Sequence, residues 1–531
     1  MRQSDKRTWL LLAAILLLAL GLRMINLGGR TLWYDEAFTV LFAEKGWDAM
    51  LDGTLDADED AAAEEHPLLY YQLLHYWMEV FGQSPVAVRL FSALLGVATV
   101  ALVFGLARAW FDDRTALSAA LITSVAPFHV QYSQETRMYA LLALVLVSTT
   151  WAFTRAWQRG HWAYWVTFGV LSATSMYVQQ LAAFYLLALG LLPFVIRDRA
   201  RAYRTLAAGS LAVVIYLPWL VHLPDQMQKL RNFWVQEPTV LHFWLVLRSF
   251  ISVNLDFAAA WWVPTFLLAA ILPFFLFFRA YPVLRGRDRK LVDDRQALGW
   301  ALWLAFMPMV LMWIASYLFQ PLFLPRALLP SAVVFYMAVA WLFVRSRVPV
   351  PIVGVLAVAW SVVIVFGLVT LYTWDIFPTP PFDDALDYLE QYANPDDGDA
   401  IVHGNKITAL PMVYYDHVND DIDLPQHYVR DIPDSGSDTL ARSTQEVLGL
   451  LAEKDIAIAV GDAPRVWYIT FKQLEDEMVE LVEDDPDNAQ YDSLTWLRDH
   501  YHTEQVKRFE DLNVYLFTDR VEPVDASTVD E

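Results

Sequence analysis

The chain has 531 residues, 56% of them hydrophobic and 15% aromatic, with a formal net charge of −22 and no cysteine. That apolar content is too high for an ordinary globular enzyme and points to a polytopic membrane protein. The lack of cysteine excludes disulfides, thiolate metal sites and a Cys nucleophile, and the lack of a basic groove argues against a nucleic-acid partner. The charge is uneven, since residues 376–531 carry 36 Asp+Glu against 10 Lys+Arg while the rest is nearly neutral. A membrane domain over 1–375 is therefore expected to precede an acidic soluble domain over 376–531.

In chain order, residues 1–7 are short and basic, and 9–27 form an apolar run long enough to cross a bilayer. The run is too long for a signal peptide and lacks a small-x-small cleavage site, so it reads as a retained span with its N-terminus in the cytoplasm. Directly after it, Asp35 and Glu36 stand side by side among Trp33, Tyr34 and Phe38. The connection as far as His66 holds eleven acids against Arg30 and Lys45 alone. That asymmetry favours the outer side, although acids contribute little to orientation. Its acidic part, 56–65, reads as a mobile solvated loop. Residues 67–81 are too few for a comfortable span and contain Gln72, His75 and Glu79 among Tyr and Trp, which suits a helix lying flat at the interface. With that choice the basic connections at Arg108/Arg114, Arg155/Arg159 and 197–204 all become cytoplasmic.

Further spans are expected at 85–107, 115–130, 138–154, 162–178, 181–196, 205–222, 261–278, 298–318, 327–343 and 349–372, making about eleven in all. The odd count leaves the C-terminal domain on the same outer side as Asp35. Four connections gather there: 28–84, 128–137, 223–260 and 320–326. From residue 382 the tail alternates helical patterns (382–392, 445–453, 492–500) with strand-like runs (400–403, 456–460, 466–471, 514–517), the rhythm of a small α/β domain.

Neighbouring residues diverge by roughly 100° around a helix, so Asp35 and Glu36 have separate duties. A partly desolvated carboxylate is a better proton acceptor, but an acidic pair opening an interfacial helix is equally explained by the helix dipole. His66 has a local explanation, because Pro67 suits the first position of a helix. The cluster from Phe128 to Tyr139 ends two spans and must be satisfied by something other than lipid. Within it, Glu135 and Arg137 either pair with each other or leave the arginine aimed at a phosphate. Arg89, inside an apolar span, requires an anion or a salt bridge, and Arg326 fits a snorkelling side chain. Gln179, Gln180 and Trp234 are placed to meet a sugar, although an interfacial Trp is usually an anchor. No Walker loop, dinucleotide fingerprint or clustered metal-ligand motif occurs, which argues against a nucleotide-driven pump.

Taken together, these residues resemble the GT-C glycosyltransferases that use polyprenyl-phosphate-linked sugars, in the branch of the protein O-mannosyltransferases and the lipid A aminoarabinose transferase. Asp35-Glu36 looks like that branch's acidic motif. His66-Pro67-Leu68-Leu69-Tyr70-Tyr71 is similar to its His-Pro-Pro-Leu-Tyr-Tyr signature. Residues 84–96, with Arg89, Ser92 and Gly96, follow the family pattern for the next span. Tyr132 to Tyr139 and Pro325-Arg326-Ala327-Leu328-Leu329-Pro330 look like two further motifs. Leu68 replaces a Pro, Ala327 replaces the usual Tyr, and Gln179-Gln180 stands where relatives often have Thr-His-Tyr. These departures bear on sugar identity and leave every carboxylate and basic residue in place.

The resemblance implies a GT-C-like polytopic α-helical fold with interfacial helices and a soluble C-terminal α/β domain. It also implies inverting transfer of a sugar from a polyprenyl phosphate to a hydroxyl acceptor on the extracytoplasmic face of the inner membrane. Asp35 would be the catalytic base and Glu36 its helper, with Arg89, Arg137, Arg326 and His66 on the donor phosphate. Glu135, Tyr132, Tyr139, Gln179, Gln180 and Trp234 would face the acceptor or sugar. No cofactor is required in this scheme, since the arginines supply the positive charge, but a divalent ion at the acidic motif stays open. The implied partners are the polyprenyl-linked sugar, membrane lipid and the acceptor. Two other readings remain: a transporter or lipid flippase with an outer sensor domain, which predicts mid-span charge pairs and broken helices, and a membrane-anchored glycan-binding module, which predicts a featureless membrane part.

Overall fold

A computed structural model of the chain describes residues 3–55, 66–223, 235, 237–255, 259–288, 291–419, 425–431 and 439–521. The acidic run at 56–65 and Trp234 lie outside the described residues. In order, the helices are α1 (Gln3–Met24), α2 (Tyr34–Glu44), α3 (Trp47–Leu55), α4 (Leu69–Phe81), α5 (Pro85–Trp110), α6 (Asp113–Val125), α7 (Pro127–Ser133) and α8 (Tyr139–Arg159). They continue as α9 (Trp162–Val178), α10 (Ala182–Ile196), α11 (Arg199–Leu220), α12 (Val240–Ile251), α13 (Trp262–Leu284), α14 (Arg295–Leu318), α15 (Leu329–Val344) and α16 (Val350–Tyr372). Two compact units result: Met1–Leu27, Glu65–Gly82 and Val86–Thr373 form one, and Gly28–Glu64, Gln83–Pro85 and Trp374–Glu531 the other.

The first unit is membrane-embedded. Among the described residues, eight segments are long and apolar enough to cross a bilayer, namely those of α1, α5, α8, α11, α13, α14, α15 and α16. All eleven expected spans have a helical counterpart, but α6, α9 and α10 are only 13, 17 and 15 residues long. The expected span 115–130 is in fact two helices. Ala126 is extended (φ −63°, ψ 117°) ahead of Pro127, which cannot supply a backbone donor to the turn before it, so α6 stops and α7 starts afresh. At its other end α6 is capped by Asp112, whose side chain accepts from Thr115 N at 2.8 Å.

The core of this unit is α15. It is apolar on all sides, and every residue from Leu329 to Leu342 is buried, as befits a helix surrounded by others. By contrast α1 and α16 expose Leu10, Leu17, Val355, Val358 and Val365. α4 buries Tyr70, Tyr71, Leu74 and Met78 and exposes Leu73, Tyr76, Val80 and Phe81. At 13 residues it is shorter than a span. It begins at Leu69, so Pro67 precedes the helix rather than occupying its first position.

Just beyond α15, Arg345 grips Asp294 through two bonds of 2.7 and 2.8 Å and donates to Asp112 at 2.6 Å, while Trp341 Nε1 donates to Asp294 at 2.9 Å. This ties the starts of α6 and α14 to the end of α15. Asp294 is 3% exposed, so truncating it leaves a half-buried guanidinium short of its main partner. Asp294→Ala should lower stability by about 3 kcal/mol, read as a drop in the thermal unfolding midpoint in detergent.

The second unit carries α2 and α3 together with the tail. The tail adds α17 (Phe382–Tyr392), α18 (Lys406–Asn419), α19 (Arg442–Leu448), α20 (Ile456–Val460), α21 (Lys472–Asp484) and α22 (Ser493–His500). Its strands are β1 (Asp399–His403), β2 (Gln426–Val429), β3 (Ala452–Glu453), β4 (Arg465–Phe471), β5 (Tyr501–Phe509) and β6 (Leu512–Arg520). They form one sheet in the order β3-β2-β1-β4-β6-β5. The first four are parallel, with Ile401 opposite both Gln426 and Trp467, and β6 pairs antiparallel with β4 and β5. The α/β expectation holds, with two local differences: the helix expected at 445–453 ends at Leu448 with Ala452–Glu453 as strand β3, and one strand-like run is reversed. The run 456–460 is a helix, because Asp455 accepts from Ile458 N at 3.0 Å at its start and Gly461 ends it. Its apolar residues then meet the core at Ile456, Ala459 and Val460, a helical spacing.

His403 closes β1 fully buried, with Nε2 3.0 Å from Gln426 Oε1. Burial pushes its pKa down to about 4. The unfolded chain takes up a proton below about pH 6.5, whereas the folded one resists until about pH 4, so stability is lost as pH falls through that window. His403→Gln should flatten this pH dependence, removing on the order of 3 kcal/mol of acid destabilisation between pH 7 and 4. Unfolding midpoints of both chains across that range measure it.

Candidate functional site

The polar residues of the membrane unit gather around α7, every residue of which is buried. Gln131 Nε2 donates to Glu135 Oε1 at 3.4 Å and to Asn254 O at 3.3 Å, and its Oε1 accepts from Asn254 N at 2.9 Å. Asn254 Nδ2 donates to the Tyr132 hydroxyl at 2.8 Å. Tyr132 meets Tyr139 edge to face at 5.3 Å, and the Arg326 guanidinium lies 5.4 Å from the centre of the Tyr139 ring. Arg326 sits in the single turn Pro325–Leu328 that leads into α15, so the apolar core helix fixes where this charge stands. Arg137, 4% exposed, reaches the Tyr71 hydroxyl on α4 at 3.4 Å.

Arg89 is 1% exposed and donates to Leu27 O at 3.0 Å, holding the chain as it leaves α1. Nearby on α5, Ser92 bonds the Tyr70 hydroxyl at 3.0 Å. His66 is partly buried just ahead of α4, and Gln179, 4% exposed, caps α9 and accepts from Leu181 N at 3.2 Å, with Gln180 next to it. Thus Tyr132, Tyr139, Glu135 and Arg326 come together around α7, joined through Arg137 to the Tyr70-Tyr71 pair.

Asp35 and Glu36 belong to the other unit, in the first turn of α2. Glu36 is 1% exposed, while Asp35 keeps partial access to solvent. The two therefore differ in environment. Thr39 Oγ1 donates to Asp35 O at 2.6 Å within the helix. Lys406 Nζ lies 6.0 Å from the centre of the neighbouring Tyr34 ring.

Four residues at this site, Arg248, Ser249, Asn254 and Arg23, had drawn no attention in the sequence. Arg248 on α12 is 4% exposed with its guanidinium 4.4 Å from the Trp262 ring centre, and Ser249 beside it donates to Asn254 at 3.2 Å. An arginine inside an apolar run was the available signal for Arg248, the same one that marked Arg89. Arg23 is fully buried, donating to Ala19 O and Ser124 O at 2.8 and 3.2 Å and lying 2.5 Å from His129 Nδ1. Among the described residues no three His, Cys, Asp or Glu side chains form a metal-holding group.

The bundle of apolar helices followed by an α/β tail resembles the fold of solved membrane transferases. The apo crystal structure of ArnT from Cupriavidus metallidurans superposes with a TM-score of 0.61 at 14% identity, covering 96% of this chain and 98% of that one. The zinc- and sulfate-bound oligosaccharyltransferase of Archaeoglobus fulgidus superposes with a TM-score of 0.54 at 15% identity, covering 95% and 72%. In sequence, residues 65–222 match the family model described as dolichyl-phosphate-mannose-protein mannosyltransferase. The undecaprenyl phosphate-α-4-amino-4-deoxy-L-arabinose arabinosyl transferase 1 of Pseudomonas fluorescens is 26% identical over 269 residues, 48% of this chain and 47% of that protein. Its counterpart in Pseudomonas aeruginosa is 25% identical over 273 residues, 49% and 47%. The chain thus spans about half the length of the curated relatives it matches. In sequence and in fold it resembles the GT-C superfamily's mannosyltransferase and aminoarabinose transferase branch.

The close packing at this site makes one position decisive. A Cβ on Gly96 of α5 would collide with the Ser133 side chain of α7 and stand 2.9 Å from Arg23 Nε. Gly96→Ala should destabilise the protein by about 1–3 kcal/mol through overpacking, seen as a lowered thermal midpoint in detergent.

Proposed function

We propose that the protein is an inverting glycosyltransferase that moves a sugar from a polyprenyl phosphate to a hydroxyl-bearing acceptor on the extracytoplasmic face of the inner membrane. The observation that carries this reading is the arginine–aromatic cluster of the membrane unit: Arg137 on Tyr71, Arg326 over Tyr139 and Arg248 over Trp262. Guanidinium forks suit phosphate oxygens, and aromatic faces hold such cations in place. Charged groups kept within a membrane domain are costly and mark a site of function. The relatives' naming as arabinosyl transferases acting from undecaprenyl phosphate agrees, and favours this reading over a transporter.

In this scheme the acceptor oxygen attacks the anomeric carbon from the face opposite the phosphate, and Asp35 takes the hydroxyl proton. The carbon–oxygen bond to phosphate breaks, and its electron pair leaves with the phosphate. Arg89, Arg137 and Arg326 meet the charge that develops there, with Arg248 added to that set and His66 contacting phosphate or positioning its loop. Glu36 and Glu135 orient the acceptor or the arginines, while Tyr132, Tyr139, Gln179, Gln180 and Trp234 face the sugar or acceptor. No cofactor takes part in these steps.

The test is turnover of the full chain in lipid nanodiscs with a panel of polyprenyl-phosphate sugars, followed as release of polyprenyl phosphate. Asp35→Asn should lower kcat by about 10²–10⁴-fold, and Arg326→Ala by about 10²–10³-fold. Undiminished turnover in Asp35→Asn would sink the proposed base. Turnover should be equal with and without a chelator; a loss restored by a divalent cation would replace the metal-free scheme.

A further inference from the structure

The tail has a feature that the transferase reading does not use. Its chain runs from β1 outward through β2 to β3, then crosses back to β4 on the other side of β1. Connections leaving β1 and β4 therefore diverge in opposite directions along the sheet. In open α/β sheets, the carboxyl ends of strands at such a reversal form a ready-made crevice for ligands. Here that crevice exists. A cavity of about 310 Å³ is lined by Gly404 and Asn405 after β1, by residues 429–431 at the end of β2, by Tyr468 of β4, by α21 between Leu474 and Leu481, and by residues 491–495 and Arg498 at and within α22. The volume is at the lower end of small-molecule sites, about 300–1,000 Å³.

The lining determines what chemistry would fit. Five acidic residues line the cavity against two arginines, with Asp476 and Glu477 among them exposed to solvent, a balance that repels anions. Several of these carboxylates are already held in place: Asp431 by Lys406 at 3.6 Å, Glu475 by Asn513 and Tyr515 at 2.8 and 3.0 Å, and Asp492 by Thr495 at 2.6 Å. Arg498 is clasped by Glu504 through two bonds of 2.9 Å. Carboxylates fixed this way keep further lone pairs for hydroxyl or amino donors. The usual phosphate seat of this topology, the start of the helix after β1, is taken, because Asn405 Oδ1 accepts from Ile407 N and Thr408 N at 3.0 and 3.4 Å. Asn405 itself is 6% exposed, lines the cavity, and has no hydrogen bond for Nδ2 among the described residues. The rings of Tyr468 and Tyr491 add apolar surface. Close approach depends on Gly404, where a Cβ would stand 2.8 Å from the Tyr468 hydroxyl.

We propose that the crevice at the carboxyl ends of β1, β2 and β4 binds a hydroxyl-rich saccharide, neutral or amino-bearing, of one or two rings. The site stands independently of the transferase reading. It is tested by calorimetric titration of the full chain in nanodiscs with glucosamine, N,N′-diacetylchitobiose and inorganic phosphate. At least one saccharide should bind saturably and phosphate should not. Asn405→Ser, which retains an oxygen to cap α18, and Tyr491→Ala should each weaken binding about tenfold, the loss expected for about 1.4 kcal/mol. Asp35→Asn should bind as wild type, which separates this site from failure of the proposed base. Circular dichroism checks folding; if Asn405→Ser misfolds, Tyr491→Ala, altered at a partly exposed side chain, carries the test. Absence of saccharide binding, saturable phosphate binding, or wild-type affinity in the correctly folded variants would each overturn the proposal.

Discussion

Every polar group carried into an apolar interior has to be satisfied there, and around α7 that requirement organises the membrane unit. The end of α1 leaves carbonyls without helical partners. Gln134 Nε2 supplies donors to two of them, Arg23 O at 3.0 Å and Ile25 O at 2.8 Å. Arg23 in turn donates to Ser124 O on α6, and Gln131 exchanges hydrogen bonds with the backbone of Asn254 beyond α12. Two separate stretches of chain, the end of α1 and the segment at Asn254, are thereby fixed to one short helix and the residue that ends it. The same helix carries Tyr132 and leads directly to Glu135 and Arg137, so the bonds that hold the fold also hold the proposed phosphate site. Substitutions at Gln131, Gln134 or Asn254 thus act on both.

The helical plan was legible because hydropathy reports what lipid and core share, a lack of polar groups. The expected span at 162–178 coincides with α9. Breaks were less legible, since the residues on either side of Pro127 are as apolar as those of a continuous span; the proline itself was the sign. In the tail, β5 reads YHTEQVKRF and is mostly exposed along an edge, so it lacks the alternation of a half-buried strand. The five-residue run of α20 was misread because short apolar segments do not reveal their period; the cap at Asp455 did. At the site, an arginine inside an apolar span pointed to Arg89, a polar cluster ending two spans pointed to Arg137, and an arginine between Pro325 and a span start pointed to Arg326. Asn254 could not be found in this way, because its partners on α7, Gln131 and Tyr132, lie more than a hundred residues away and only the fold brings them together.

The proposed base is only as well placed as the helix that carries it, and α2 is built on the tail. Its residues from Glu36 to Ala43 are all buried, and α18 packs against it while α19 packs against α3. Specific bonds fix the arrangement: Leu32 N donates to the Tyr415 hydroxyl at 2.8 Å, Thr31 to Pro380 O at 2.6 Å, and Thr444 to Gly53 O at 2.8 Å, while His417 lies 3.1 Å from Glu44. Phe38, Val40, Leu41 and Phe42 are at most 6% exposed, and burial of each such side chain contributes about 1.5–3 kcal/mol. Without the tail, much of that contribution would be lost and the first turn of α2 would have no fixed direction. The C-terminal domain is therefore not a detachable sensor or a separable binding module. It is the support on which Asp35 and Glu36 stand, whatever else its own crevice binds.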